Sequence, residues 1–346
     1  MISFDSLPAH PDPLVGASHP PLEHEVRSRD DLILNGWTDR RLAAAVARGE
    51  LFHLRRGWYI DGAERAALHP EERHRAHVIA VARDSTGGAV MSHTSAAVLW
   101  RLPLYRIRCA AVHMTMPAAR RVSSSPDVRR HAGPLPAADV VIVDGIRCTS
   151  LSRTVFDLLC VLPREAAVSV ADAAERQMAR RLREWDLDAV AAWRLELGRR
   201  LAEADGRRGV RQARWVAAFA DGRAQLPGES VSRLQLHRLG FAAPELQVPV
   251  AGPDGRTFFV DFELGDVRCF GEFDGKEKYF DEAMRSGRTV EQVIFDEKRR
   301  EDWIRGASQN RFARWGMEHI GTPAALGRRL ASFGVRPPDA GAQGRR

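Results

Sequence analysis

The chain has 346 residues, 44% hydrophobic and 28% charged, with a formal net charge of +7. That length exceeds a single hydrophobic core and implies two or three globular domains. No run of about 18 apolar residues occurs, which excludes a helical membrane span, and four cysteines without a C-x-x-C pair argue against a zinc ribbon or a disulfide framework and fit a reducing cytoplasm.

The N-terminal stretch MISFDSLPAHPDPLVGASHPPLEHE has neither the basic start nor the apolar core of a secretory signal. Its prolines mark residues 1–24 as a flexible arm. From Ser28 the pattern changes. Ser28 followed by Asp31 predicts a capping box for a short helix over DDLILN, and Gly36 ends it. Thr38 caps a second helix from Asp39 to about Arg48, with Leu42, Ala43 and Val46 as its inner face. Helix, glycine turn and helix, followed by the β-forming stretch Leu51–Ile60 with its Arg-Arg-Gly bend, predict a winged helix-turn-helix over residues 25–62. Arg40, Arg41 and Arg48 then lie on or beside the second helix and Arg55 and Arg56 in the wing, where they would meet phosphates and groove edges. The alternative is a helical packing module with a solvated basic face.

Residues 63–160 read as an α/β middle domain. HVIAVARD is expected as a strand, SHTSAAVLW as a strand end running into a capped helix, and CAAVHMTM (109–116) and DVVIV (139–143) as strands. AARRVSSSPDVRRH is expected as a basic hairpin whose Arg120, Arg121, Arg129 and Arg130 contact phosphate. Seven arginines and one acid, Asp127, fall between Arg101 and His131, an excess that suits a polyanion. His93 beside Ser92 and Ser95 lacks a G-x-S-x-G elbow and is read as structural. No G-x-x-x-x-G-K-[ST] phosphate loop occurs, and no small-molecule cofactor is expected. Residues 161–226 are Ala-, Arg- and Leu-rich at helical spacing and predict a helical bridge.

The last domain is expected over residues 227–335, ahead of a flexible tail at 336–346. GESVSRLQLHRLG is a helix that begins near Glu229, with Val231, Leu234 and Leu236–Leu239 facing inward. PELQVPV, RTFFVDFEL and DVRCFGEFDG are strands, the last two joined by a turn at LGD. Alternation along a strand puts Glu272 and Asp274 on one face, and the tight turn brings Asp261 across from Glu272. Two carboxylates held together repel unless a proton or a cation bridges them. Oxygen ligands without His or Cys suit Mg2+ or Mn2+, which activate water for phosphodiester hydrolysis.

A helix with Glu, strands carrying D and then E-x-polar, and a further helix follow the order of the PD-(D/E)xK nuclease core. The lysine of that motif is replaced here by Asp274; Lys276, Lys278 and Lys298 are the cations at hand. On the stretches GWTDRRLAAAVARGELFHLRRGWY, SHTSAAVLWRLPL, DGIRCTSLSRTVFDLL, GESVSRLQLHRLGF, VDFEL, GEFDGKEKY and DEKRRED, the chain resembles an actinobacterial family that pairs an AbiEi-type antitoxin helix-turn-helix region with a domain similar to the very-short-patch-repair (Vsr) endonucleases. The resemblance covers most of residues 30–320. It implies an α+β multidomain protein that binds DNA, with Glu229, Asp261, Glu272 and Asp274 as the core of a metal-dependent endonuclease site. It also matches Lys278, Glu297, Lys298 and Arg300 to the family's pattern. An antitoxin-type regulator with an inactive nuclease-like domain and a toxin partner is the alternative, and a protein-interaction scaffold the third.

Overall fold

The computed structural model describes residues 22–85, 88–116, 124–181, 184–274 and 289–338. The chain divides into an N-terminal unit, residues 9–162 with 193–215, and a C-terminal unit of residues 163–192 with 216–346. Both units mix helices with sheet, and among the described residues no helix is long and apolar enough to cross a membrane.

The N-terminal unit starts with helix α1 (Leu22–Glu25), which occupies the end of the expected arm. Strand β1 (Arg27–Ser28) precedes helix α2 (Arg29–Leu34), whose capping box forms as expected: Ser28 Oγ accepts from Asp31 N–H and the Asp31 carboxylate accepts from Ser28 N–H. Helix α3 (Asp39–Ala47) is capped by Thr38. Its buried residues are Leu42 and Ala45, with Val46 partly covered, while Ala43 faces out. Strands β2 (Leu51–Arg55) and β3 (Trp58–Asp61) form an antiparallel hairpin, and β1 adds to β3.

Helices α4 (Gly62–Ala67) and α5 (Pro70–Asp84) follow. HVIAVARD is therefore the second half of α5 and not a strand. Its apolar run reads as β because the helix is covered on several sides, from His74 to Val81, and a helix buried all round loses its periodic signature. Strand β4 (Val90–Met91) leads into helix α6 (His93–Leu99). Strands β5 (Val112–Met116), β6 (Val128–Ala132), β7 (Val140–Val143) and β8 (Ile146–Thr149) complete a sheet of order β6–β5–β4–β8–β7. Of the expected basic hairpin, residues 118–123 lie outside the described residues; its second half enters β6, which runs parallel to β5, His113 beside Arg129 and Thr115 beside His131. Helix α7 (Leu151–Val161) packs its apolar face into this unit.

The expected helical bridge is divided between the units. Helix α8 (Arg164–Ala179) and the short strands β9 (Arg180–Arg181) and β10 (Glu184–Trp185) belong to the C-terminal unit. Helix α9 (Leu187–Glu203) crosses the boundary in sequence, and helix α10 (Val210–Phe219) is split in the same way. Within the C-terminal unit, helix α11 (Pro227–Leu239) is stopped by Gly240, whose φ of 90° is the left-handed conformation that a Cβ disfavours. Strands β11 (Glu245–Ala251), β12 (Thr257–Leu264) and β13 (Cys269–Phe273) are antiparallel neighbours; helix α12 (Val290–Ser308) then returns the chain so that strand β14 (Arg311–Trp315) lies parallel to β13. Helix α13 (Pro323–Ala331) closes the unit.

Candidate functional site

Asp261 sits where β12 and β13 stop behaving as a regular ladder. Side chains of β13 alternate cleanly. Phe270 packs with Ile304 of α12, and Glu272 reaches Arg300 of α12. Gly271 lies so close to the Trp315 indole that a Cβ would come within 2.3 Å of it, and Gly228 at the start of α11 covers the Phe273 ring. On β12 the alternation breaks. Val260 sits in the cluster with Ile304, whereas Phe262 packs against Trp315 at 5.3 Å, and the Trp315 indole N–H donates to Ser232 Oγ of α11 at 2.8 Å. The break falls at Asp261, with Gln247 at φ 52° on the neighbouring strand. Asp261 Oδ2 accepts the N–H of Phe273 at 2.9 Å, so the carboxylate takes a place in the ladder.

Two groups of side chains result. In the first, Gln247 Nε2 lies 3.3 Å from Asp261 Oδ1 and 3.4 Å from Glu229 Oε2, and Glu229 Oε2 also accepts from Gln225 N–H at 2.7 Å. Glu229, on α11, is buried. In the second, Glu272 is clamped by two guanidiniums: Arg300 Nη1 donates to Oε1 at 2.6 Å and Arg314 Nη2 to Oε2 at 2.9 Å. Arg300 also holds Glu297 at 2.8 Å and the Phe259 carbonyl, and Arg314 lies 3.2 Å from Glu297 and 3.1 Å from Glu301. Burial pushes the Glu272 carboxyl above its ordinary range, Arg300 opposes that, and the nearby Asp261 carboxylate adds to it. The repulsion that suggests a cation is answered here by arginines.

Asp274 ends β13, its N–H donating to the Trp315 carbonyl at 2.8 Å. Lys298 is exposed on α12. Lys276 and Lys278 lie outside the described residues. Gln247 and Arg314 are site residues that sequence reasoning misses. Gln247 carries no sequence signal. Arg314 does: an arginine inside RFARW, between buried Ala313 and Trp315, needs a buried acidic partner.

An oxygen-only cation fits the first group better than the second. An amide donor shared at long range by two carboxylates is weakly held, and rotating the Gln247 amide by half a turn offers its carbonyl oxygen between Glu229 and Asp261 instead. Glu272, expected as the second metal ligand, has both oxygens committed to guanidiniums.

In the N-terminal unit the predicted contact arginines separate into two kinds. Arg40, Arg41 and Arg56 are exposed, and the Arg41 guanidinium stacks 4.0 Å over the Trp37 ring. Arg48 pairs with Glu50 at 2.7 Å, and Arg55 with Asp84 at 3.2 Å. Arg129 is exposed and Arg130 half-buried, while Arg120 and Arg121 lie outside the described residues.

No family model matches the chain. Two curated relatives, the uncharacterized proteins Rv2248 and MT2308 from Mycobacterium tuberculosis strains H37Rv and CDC 1551, are each 31% identical over 204 residues, covering 55% of this chain and 69% of theirs.

Proposed function

The chain belongs to the same family as these mycobacterial proteins, and we propose that it binds DNA and that its C-terminal unit hydrolyses DNA phosphodiester bonds with Mg2+ or Mn2+. The observation that carries this reading is the convergence of Asp261 and Glu229 on Gln247 at the break between β12 and β13, where Asp261 also accepts the N–H of Phe273, the residue after Glu272. The order α11–β11–β12–β13–α12–β14 supports it, because it resembles the PD-(D/E)xK and Vsr-like nuclease core. The helix pair and hairpin of residues 27–61 support DNA binding in the same way, through their resemblance to the AbiEi-type winged helix.

In this reading Asp261, Glu229 and the Gln247 carbonyl would hold the cation, which when bound would supply Lewis acidity and lower the pKa of water at the site. Glu272 anchors Arg300 and Arg314 as the positive wall that faces a phosphate. The placement of the lysines supports the same reading. The chain has 52 basic residues, yet its three lysines, Lys276, Lys278 and Lys298, all lie between positions 276 and 298. A chain that otherwise uses arginine throughout places its point-charge cations only in this stretch of sequence, where the motif's own lysine is replaced by Asp274.

The test is cleavage. Purified protein with Mg2+ or Mn2+ nicks or cuts duplex, mismatched or single-stranded DNA, and Asp261→Asn abolishes it. Absence of metal-dependent cleavage on all three, or cleavage that survives Asp261→Asn, overturns the reading. One observation favours a second reading, an AbiEi-type antitoxin or regulator with a toxin partner and an inactive nuclease-like domain: both Glu272 oxygens are already neutralised by arginine.

A further inference from the structure

We propose that His93, His113 and His131, in the N-terminal unit, form a binding site for a divalent transition-metal ion of the zinc class. The three come from different elements. His113 lies on β5 and His131 on the parallel strand β6, at positions of the same parity, and His93 is the first residue of α6 directly after β4, the other neighbour of β5. Each offers one ring nitrogen, and the three nitrogens lie within 4.8 Å of one another. His113 Nδ1 and His131 Nε2 are already 3.0 Å apart, and the His93 and His131 rings stack at 4.2 Å. All three are half-buried, which leaves a route in.

Two further observations point to a ligand. His93 has a φ of 50°, a left-handed conformation that costs a side-chain-bearing residue energy and that proteins retain where position matters. Its Nδ1 lies 3.2 Å from Ser92 Oγ, which accepts a hydrogen bond from Thr115 Oγ1 at 3.0 Å. That is a supporting chain of the kind that orients a metal-binding imidazole and leaves its Nε2 to the ion.

Three imidazoles select a borderline ion such as Zn2+ over Mg2+ or Ca2+, and leave a fourth position open. Tetrahedral zinc with Zn–N bonds of about 2.0–2.1 Å holds its nitrogens about 3.4 Å apart. The close pair is near that value, and the widest separation has to shrink by at most about 1.4 Å. A histidine χ2 rotation, which is a soft torsion, supplies the movement and unstacks the rings. The positive groups that face the cluster are Arg129, near His131 and His113, and Arg153, near His93. They oppose a bare dication and favour an anionic oxygen in the open position. The site is chemically distinct from the carboxylate group around Asp261 and independent of the nuclease reading.

The experiment uses the full chain, stripped with a chelator and titrated calorimetrically with Zn2+ and, separately, with Co2+ followed by visible absorption. The expected result is one ion per chain at these histidines, with ligand-field bands of nitrogen-bound, low-coordinate Co2+. His93→Ala, His113→Ala and His131→Ala each weaken binding by more than the about 10- to 100-fold that loss of a merely supporting partner costs. His53→Ala, at an exposed histidine outside the cluster, binds zinc like the parent. Affinity unchanged in the histidine variants overturns the proposal, because a surface histidine elsewhere is then the ligand. Where a variant fails to keep its circular dichroism, the parent decides: no Co2+ bands, or no stoichiometric uptake, overturns it equally.

Discussion

Val260 and Phe262 are neighbours on the same side of one strand by alternation, yet Val260 packs with Ile304 of α12 and Phe262 with Trp315, which is tied to α11. The residue between them is Asp261. Its carboxylate accepts the Phe273 N–H and carries the strand through the change of side. Asp261 therefore has a structural duty as well as a proposed chemical one, and the two separate by substitution. Asp261→Ala leaves the Phe273 N–H without this acceptor and destabilises the C-terminal unit by about 1–3 kcal/mol. Asp261→Asn keeps an acceptor oxygen and stays within about 1 kcal/mol of the parent, while losing the charge that cation binding needs. Urea unfolding of the two variants checks the first half and Mn2+ titration the second. Equal destabilisation by both removes the distinction.

Glu272 is buried between two guanidiniums, so removing one leaves a carboxylate short of a partner rather than free. Arg300→Ala lowers stability toward the lower end of the about 3–5 kcal/mol that breaking a buried pair costs, since Arg314 remains. Glu272→Gln with Arg300→Ala recovers part of that loss, because the uncompensated charge is gone. A double-mutant cycle by chemical denaturation measures the coupling. A cycle that closes at zero shows the pair to be solvent-screened.

Exposed arginines contribute to phosphate binding at lower cost than arginines that must first leave an acid. Arg40→Ala with Arg41→Ala therefore weakens duplex binding more than Arg48→Ala, which starts from its pair with Glu50. The slope of log affinity against log salt falls by about 0.9 for each phosphate that is no longer neutralised. Fluorescence anisotropy at several salt concentrations measures both effects. Binding indifferent to salt, or untouched by the Arg40 and Arg41 changes, counts against this surface.

Two enclosed groups, Asp172 in the C-terminal unit and His74 in the N-terminal unit, respond to acid with opposite signs. Asp172 is fully buried, and burial pushes its carboxyl from 3.8 up to about 6 even though Arg233 donates to it at 2.7 Å. The ion pair alone would lower it. The desolvation of a carboxylate with no exposed surface outweighs Arg233 together with the hydrogen bonds from the Asp221 N–H and Ser230, so the upward direction stands. A raised folded pKa means the folded state binds the extra proton between about 3.8 and about 6. The stabilisation is complete below that window and is lost as pH rises through about 6. His74 is the reverse: burial depresses it from 6.5 to about 3, so its contribution is present above 6.5 and lost as pH falls toward 3. Asp172→Asn flattens the first dependence, by at most about 1.4 kcal/mol per pH unit, and leaves the second. Unfolding of parent and variant between about pH 4 and 7 gives the difference.

What the letters disclose is local. The caps at Ser28 and Thr38, the end at Gly36 and the turn after Leu264 depend on a few adjacent residues, and they form where the sequence places them. Asp261 and Glu272 are legible because one short turn joins their strands. The departures are non-local. HVIAVARD reads as a strand because a helix enclosed on several sides shows no polar stripe, and β6 reads as half of a hairpin because parallel pairing leaves no turn signal next to it. Gln247 and Arg314 join the site through strand order, and His93, His113 and His131 share no spacing that any metal motif prescribes.

The division of the chain also bears on the order in which it is made. The N-terminal unit takes residues 193–215 only after the first helix of the C-terminal unit, α8, has been synthesised. Gln212 illustrates the dependence: its side-chain amide donates to the carbonyls of Leu159 and Leu162, at the end of α7, at 3.0 and 2.8 Å. A ribosome that has released residue 162 has not yet supplied those donors. A single cut anywhere between 162 and 216 leaves at least one unit without part of its own chain. The protein is thus committed as an interleaved whole: a nascent chain must hold one domain unfinished while it begins the next, and a truncated copy that ends after α7 is exposed to degradation.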